Sequence, residues 1–98
     1  MSKPIVVTED NFDEVVLASP IPVLVDFWAK WCPPCRQMHP IIAAIAKELD
    51  GQLRVAKLDT DEAPEITASS SIGSIPTFNL YRDGKIVHQI VGGRSKAT

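Results

Sequence analysis

Two cysteines three positions apart, Cys32 and Cys35, are the only thiols among 98 residues. They sit in Trp31-Cys32-Pro33-Pro34-Cys35, directly after the apolar run Val23-Leu24-Val25-Asp26-Phe27-Trp28-Ala29 and ahead of a stretch with helical periodicity. Residues i and i+3 at the start of a helix share a face, so their sulfurs can bond with little backbone movement and the pair can cycle between dithiol and disulfide. Unpaired N–H groups and partial positive charge at a helix N-terminus favour a thiolate at the first cysteine. The expectation is therefore that Cys32 attacks a disulfide and Cys35 resolves the mixed intermediate. A loop this short cannot staple a fold, and in a reducing compartment such a bond is transient, so the pair reads as reactive rather than architectural.

Asp26 is the one polar residue in the apolar run before the motif. Desolvation there raises a carboxyl pKa by up to ~3–5 units, into the range where it can shuttle a proton, with Cys35 as its client. Lys57, on the next strand, opposes this by pulling the pKa back down, and the sequence leaves open which effect wins.

The elements that must position these groups follow from periodicity. Pro4 to Val7 reads as a first strand, and Thr8 or Asp10 as the cap of a helix with Phe12, Val15 and Val16 on one face. Val23 to Trp28 reads as a central strand buried on both sides. From Arg36, the residues Met38, Ile41, Ile42, Ile45 and Leu49 recur at helical spacing, Pro40 kinks that helix, and Gly51 stops it. Leu53 to Leu58 alternates as a strand, and Pro64 to Ser70 is a short helix. Thr77 to Tyr81 and Ile86 to Val91 flank Arg82-Asp83-Gly84-Lys85, an Asp-Gly hairpin signal. The order implies an α/β chain with a central mixed β-sheet and helices on both faces.

With 45% hydrophobic residues, the chain is one domain spanning 1–98, burying roughly 60–70% of its unfolded surface. A formal charge of −2 without a basic cluster argues against nucleic acid. The start, Met1 to Asp10, has no apolar core of an export signal after its lysine, and no uninterrupted apolar stretch reaches the length of a membrane span, so a cytoplasmic protein is expected.

The pattern Asp26-Phe27-Trp28-Ala29-x-Trp31-Cys32-x-Pro34-Cys35, followed by Pro40, Lys57, Ile75-Pro76-Thr77 and Gly92, resembles the thioredoxin family from the first strand to Gly93. Five elements at matching separations are far more specific than Cys-x-x-Cys alone. The resemblance implies the thioredoxin fold and a protein-disulfide reductase. It implies a cis Ile75-Pro76 peptide beside the cysteines, where Ile75 hydrogen-bonds an extended substrate. It further implies an apolar receiving surface of Trp31, Pro33, Pro34, Ile75, Pro76, Gly92 and Gly93, shallow enough for many partners. By the same resemblance no cofactor is bound, and electrons come from NADPH through a separate flavoprotein, thioredoxin reductase. The other partners are disulfide-containing target proteins.

Two features depart from the family pattern. Pro33 stands where the family usually has Gly, which removes an N–H from the turn around Cys32 and predicts an altered redox poise; Pro34 also biases Pro33 away from helical geometry. The chain also stops at Ser95-Lys96-Ala97-Thr98, where the family begins a last helix. A C-terminal helix that is absent or truncated leaves a sheet face bare, and predicts marginal monomer stability, a partner or self-association through that face.

Three alternatives compete with this reading. Trp-Cys-Pro-Pro-Cys-Arg also resembles the membrane-tethered thiol reductases of cytochrome maturation, but their export signal, insertion and missing acid at the Asp26 position do not hold here. A thioredoxin-fold binding module without turnover is opposed by the intact cysteine pair. A zinc site would need His39 and the distant His88 beside both cysteines; otherwise both histidines are surface residues, and Asp59, Asp61 and Glu62 form a solvated acidic loop.

Overall fold

A computed structural model of the chain describes residues 3–92. The strands are β1 (Ile5–Val7), β2 (Val23–Trp28), β3 (Arg54–Asp59), β4 (Thr77–Arg82) and β5 (Lys85–Val91), and the α-helices are α1 (Pro33–Glu48) and α2 (Pro64–Ser69). They form one sheet of order β1-β3-β2-β4-β5. β1 and β2 pair parallel with β3, whereas β4 pairs antiparallel with β2 and β5. This is the mixed α/β arrangement expected from the sequence.

β2 lies at the centre because both of its faces are apolar. Val23, Val25 and Phe27 point to one side, where they pack with Phe12, Val16 and Leu58. Leu24 points to the other side, against the helical stripe Met38, Ile42 and Ala46. That stripe, with Cys35 one turn earlier, is the buried face of α1, and a side chain such as Ile42, 2% exposed, contributes about 1.5–3 kcal/mol by leaving water. Helices therefore cover both faces, α1 on one and α2 with the segment after β1 on the other. α1 continues through Pro40 to Glu48 and is followed by Gly51 at φ +86°.

The first helical segment is wider than the expected helix. Asp13–Leu17 is a single wide turn whose Ala18 N–H donates to Asp13 O, five residues back. Helical hydrogen bonding begins before it, where Thr8 O accepts from Phe12 N–H and Asn11 O from Val15 N–H. Thr8 Oγ1 accepts from Asp10 N–H, and Asn11 Oδ1 accepts from Thr8 N–H at 2.6 Å. This reciprocal pattern is a capping box with Thr8 as the cap, as the sequence predicts, and it leads one turn later into the wide Asp13–Leu17 turn.

The Asp83-Gly84 hairpin is present, with φ of +54° and +78°, the paired positive values of a type I′ turn. Val87 is an extra residue in β5, because Leu80 pairs with His88 while Tyr81 pairs with Ile86; hydrophobic alternation carries no signal for such a bulge. Gly84→Ala is expected to lower stability by about 1–2 kcal/mol through the left-handed backbone alone. A Cβ there would also meet Leu17 O at 3.3 Å. Urea unfolding checks this, and an unchanged midpoint would show that the turn relaxes freely. The expectation of an incomplete last layer concerns residues 93–98, which, like Gly93 of the receiving surface, lie outside the described residues.

Candidate active site

β2 delivers the chain through Ala29, Lys30 and Trp31 to Cys32, which caps α1 in an extended conformation at φ −103°, ψ 102°. Pro33 and Pro34 occupy the first two helical positions, where a missing N–H sacrifices no intrahelical bond and a fixed φ is already helical. The bias of Pro34 against a helical Pro33 is therefore overridden, because α1 begins at Pro33. The first N–H available behind the two prolines is that of Cys35, and it donates to Cys32 Sγ at 3.3 Å.

Cys32 and Cys35 form a disulfide across a Cα–Cα distance of 5.3 Å. Cys35 is fully buried and Cys32 is 4% exposed, both packed with Ala29, Trp28 and Ile75. The Ile75-Pro76 peptide is cis. Pro76 is buried and its carbonyl accepts from Gly92 N–H at 2.8 Å, with Gly92 at φ +91°. Ile75 thus stands beside the cysteines and Gly92 beside Pro76, while Pro33, Pro34 and Trp31 are exposed at the mouth.

A shallow groove of roughly 350 Å³ runs from Trp31 to Ile75 along Thr60, Thr67, Ile72, Gly73 and Ser74. Those last five residues come from α2, which supplies Thr67, and from the loops on either side of it, and carried no motif that would have marked them. The acidic loop is more than a solvated stretch. Asp61 accepts from the Trp31 indole N–H at 2.9 Å, and Lys30 pairs with Asp59 at 3.1 Å and Glu62 at 3.2 Å. These contacts tether the loop before the motif to the end of β3, a link invisible in residue spacing.

Asp26 is fully buried, and neither carboxylate oxygen has a hydrogen-bond partner. Burial raises its pKa to about 7, against the lowering pull of the Lys57 charge. Desolvation is therefore the stronger of the two opposing effects. Asp26 and Lys57 are register partners on the parallel strands β2 and β3, facing α1. The Lys57 ammonium contacts His39 Nδ1 and lies 4.7 Å from the Trp28 ring centroid. Burial lowers its pKa, and Asp26 pulls it back up.

His39 is not the inert surface residue its position implied. It packs edge-on to Trp28 at 4.8 Å between ring centroids and meets Lys57. The signal available in the sequence was its spacing, four residues beyond Cys35 and three before Ile42, on the border of the buried stripe. His88 is exposed on β5, and among the described residues no three or more His, Cys, Asp or Glu side chains gather where they could hold a metal.

Comparison with known proteins places the chain among close relatives. The family model for Thioredoxin matches residues 3–98. Thioredoxin 1 of Nostoc sp. is 43% identical over all of this chain and 92% of its own length. Thioredoxin of Streptomyces clavuligerus is 50% identical over 93% of this chain and 84% of its own length. The chloroplastic M-type thioredoxin of Chlamydomonas reinhardtii is 47% identical over 94% of this chain and 66% of its own length. These matches favour neither the cytochrome-maturation reading nor the binding module.

Proposed function

The chain belongs to the thioredoxin family and is a thiol–disulfide oxidoreductase that reduces disulfides in proteins; within it, we propose, Cys32 is the attacking and Cys35 the resolving thiol. The Cys32 thiolate attacks one sulfur of a target disulfide and expels the other as a thiolate. Cys35 then gives its proton to the Asp26 carboxylate and attacks Cys32 Sγ, releasing the second target thiolate. Two electrons pass to the target, and the Cys32–Cys35 disulfide remains. The observation that carries this reading is the partnerless Asp26 carboxyl, fully buried on the strand that leads into the cysteine pair.

Lys57, one strand over, moderates the Asp26 pKa. Trp31, Pro33, Pro34, Ile75, Pro76 and Gly92 receive the target, with the Ile75 backbone bonding an extended segment and the apolar rim excluding water around the reacting sulfurs. Thioredoxins need no bound cofactor. Recharging uses NADPH through a separate flavoprotein reductase, a route supported by membership of the family. No helix among the described residues is long and apolar enough to cross a membrane, and a reducing compartment, the cytoplasm in our reading, suits a transient disulfide.

The test is the reduction potential of the Cys32/Cys35 couple, equilibrated against glutathione and followed by the fluorescence of Trp28 and Trp31. A value well below about −220 mV supports a reductase, and one near −120 mV would mean an oxidant. Pro33→Gly is expected to make the couple less reducing. It restores an N–H at the first helical position, and one more bond of about 0.5–1.5 kcal/mol to the thiolate corresponds to about 10–30 mV. No change in potential would show that the extra donor never reaches Cys32.

A further inference from the structure

Three charged or titratable side chains meet on the α1 face of the sheet, and the reaction as described uses only two of them. Asp26 and Lys57 are register partners on neighbouring strands, so their side chains leave the same face side by side. An ammonium next to a desolvated carboxylate would ordinarily close an ion pair. Here the Asp26 oxygens make no hydrogen bond, while Lys57 Nζ meets Nδ1 of His39, a residue of α1.

We propose that His39 is a positioning residue: its neutral imidazole accepts a hydrogen bond from Lys57 and holds that ammonium off the Asp26 carboxyl, leaving Asp26 free to take a proton. The inference rests on Asp26 as the proton acceptor for Cys35. The geometry is selective for this role. Lys57 has only donors to offer, so Nδ1 must be the unprotonated nitrogen and the ring carries its proton on Nε2. The Trp28 indole fixes both parties, with the imidazole edge-on at 4.8 Å and the ammonium over its ring at 4.7 Å. Lys57 is thereby committed in two directions other than toward Asp26.

The surroundings keep the imidazole neutral. From α1, Arg36 adds positive charge, from β3 comes Lys57 itself, and from β2 the carboxyl of Asp26 faces the same space. Burial, then Lys57 and then Arg36 push the His39 pKa below the usual histidine value. Lys30, Asp59 and Glu62 line the far side of Lys57 with Trp28, but they are joined to each other in ion pairs. At the pH where Asp26 accepts a proton, His39 is therefore still able to hold Lys57.

The test follows the Asp26 carboxyl directly, by ¹³C NMR titration of the full chain. In His39→Ala, Lys57 turns to Asp26, and the carboxyl titrates at least about one unit lower, the effect of an opposite charge brought to ~4–6 Å. His39→Gln offers an uncharged acceptor in the same place and restores the parental titration. In a Lys57→Met background, His39→Ala no longer moves Asp26, because the ammonium it released is gone. An Asp26 titration that ignores His39→Ala, or that shifts equally without Lys57, overturns the proposal. The pH profile of target-disulfide reduction separates the two levels of argument. If Asp26 shifts as stated and the rate profile does not follow, His39 positions Lys57 but Asp26 is not the proton acceptor.

Discussion

Cys32→Ser is expected to lower the rate of target-disulfide reduction by about three orders of magnitude or more, because a serine hydroxyl at neutral pH supplies no comparable nucleophile. The neighbouring cysteine cannot take over. Cys35 has no exposed surface at all, so a protein disulfide cannot reach its sulfur without opening the start of α1, whereas Cys32 keeps 4% exposure beside Trp31. Cys35→Ser should lose steady-state turnover to a similar extent for a different reason. Its Cys32 still attacks, nothing resolves the product, and a mixed disulfide with the target accumulates in stoichiometric amount. Intact-mass measurement after mixing each variant with an oxidised target distinguishes them: an adduct for Cys35→Ser and none for Cys32→Ser. An adduct on the Cys32→Ser chain would reverse the assigned roles.

The placement of Cys32 as the cap and of Cys35 in the first turn of α1 could be read from the sequence because it depends on local geometry. A strand, the three-residue connection Ala29 to Trp31 and a helix N-terminus fix which cysteine caps and which turns inward, and the strand and the helix start are written in the apolar run, the prolines and the 3.6-residue stripe. The central position of β2 was legible for the same reason, since Val23, Val25 and Phe27 on one side and Leu24 on the other leave no polar face for water. What the sequence did not show depends on side chains meeting across elements. Asp61 reaching the Trp31 indole, and His39 meeting Lys57 under Trp28, join residues 30 and 18 positions apart, and no periodicity encodes such pairs. The segment after β1 was legible in part. Thr8 does cap it, in a reciprocal pair with Asn11, but no spacing marks the bond from Ala18 back to Asp13 that widens the turn.

The buried acid leads to the second large effect, and its sign is opposite to that of an ordinary paired carboxylate. In the unfolded chain Asp26 ionises near 3.8, while in the fold burial raises this to about 7. Below the lower value both states hold the proton and Asp26 is neutral in the energy balance. As pH rises between the two, the unfolded chain releases its proton first, so the fold becomes relatively less stable, and above pH 7 the penalty is complete. A rise of about three units corresponds to about 4 kcal/mol, an order-of-magnitude figure. Asp26→Ala removes the penalty but leaves a cavity, whose destabilising effect of about 1–3 kcal/mol is the same at every pH. Comparing the variant with the parent at two pH values therefore cancels the cavity. Relative to the parent, Asp26→Ala is expected to gain about 3 kcal/mol between pH 4 and pH 8, measured by denaturant unfolding of the oxidised protein. Lys57 returns a little of this, since it loses the carboxylate that raises its own pKa. A difference that stays flat with pH would mean that Asp26 ionises as easily in the fold as in water, and the proton acceptor for Cys35 would then have to be sought elsewhere.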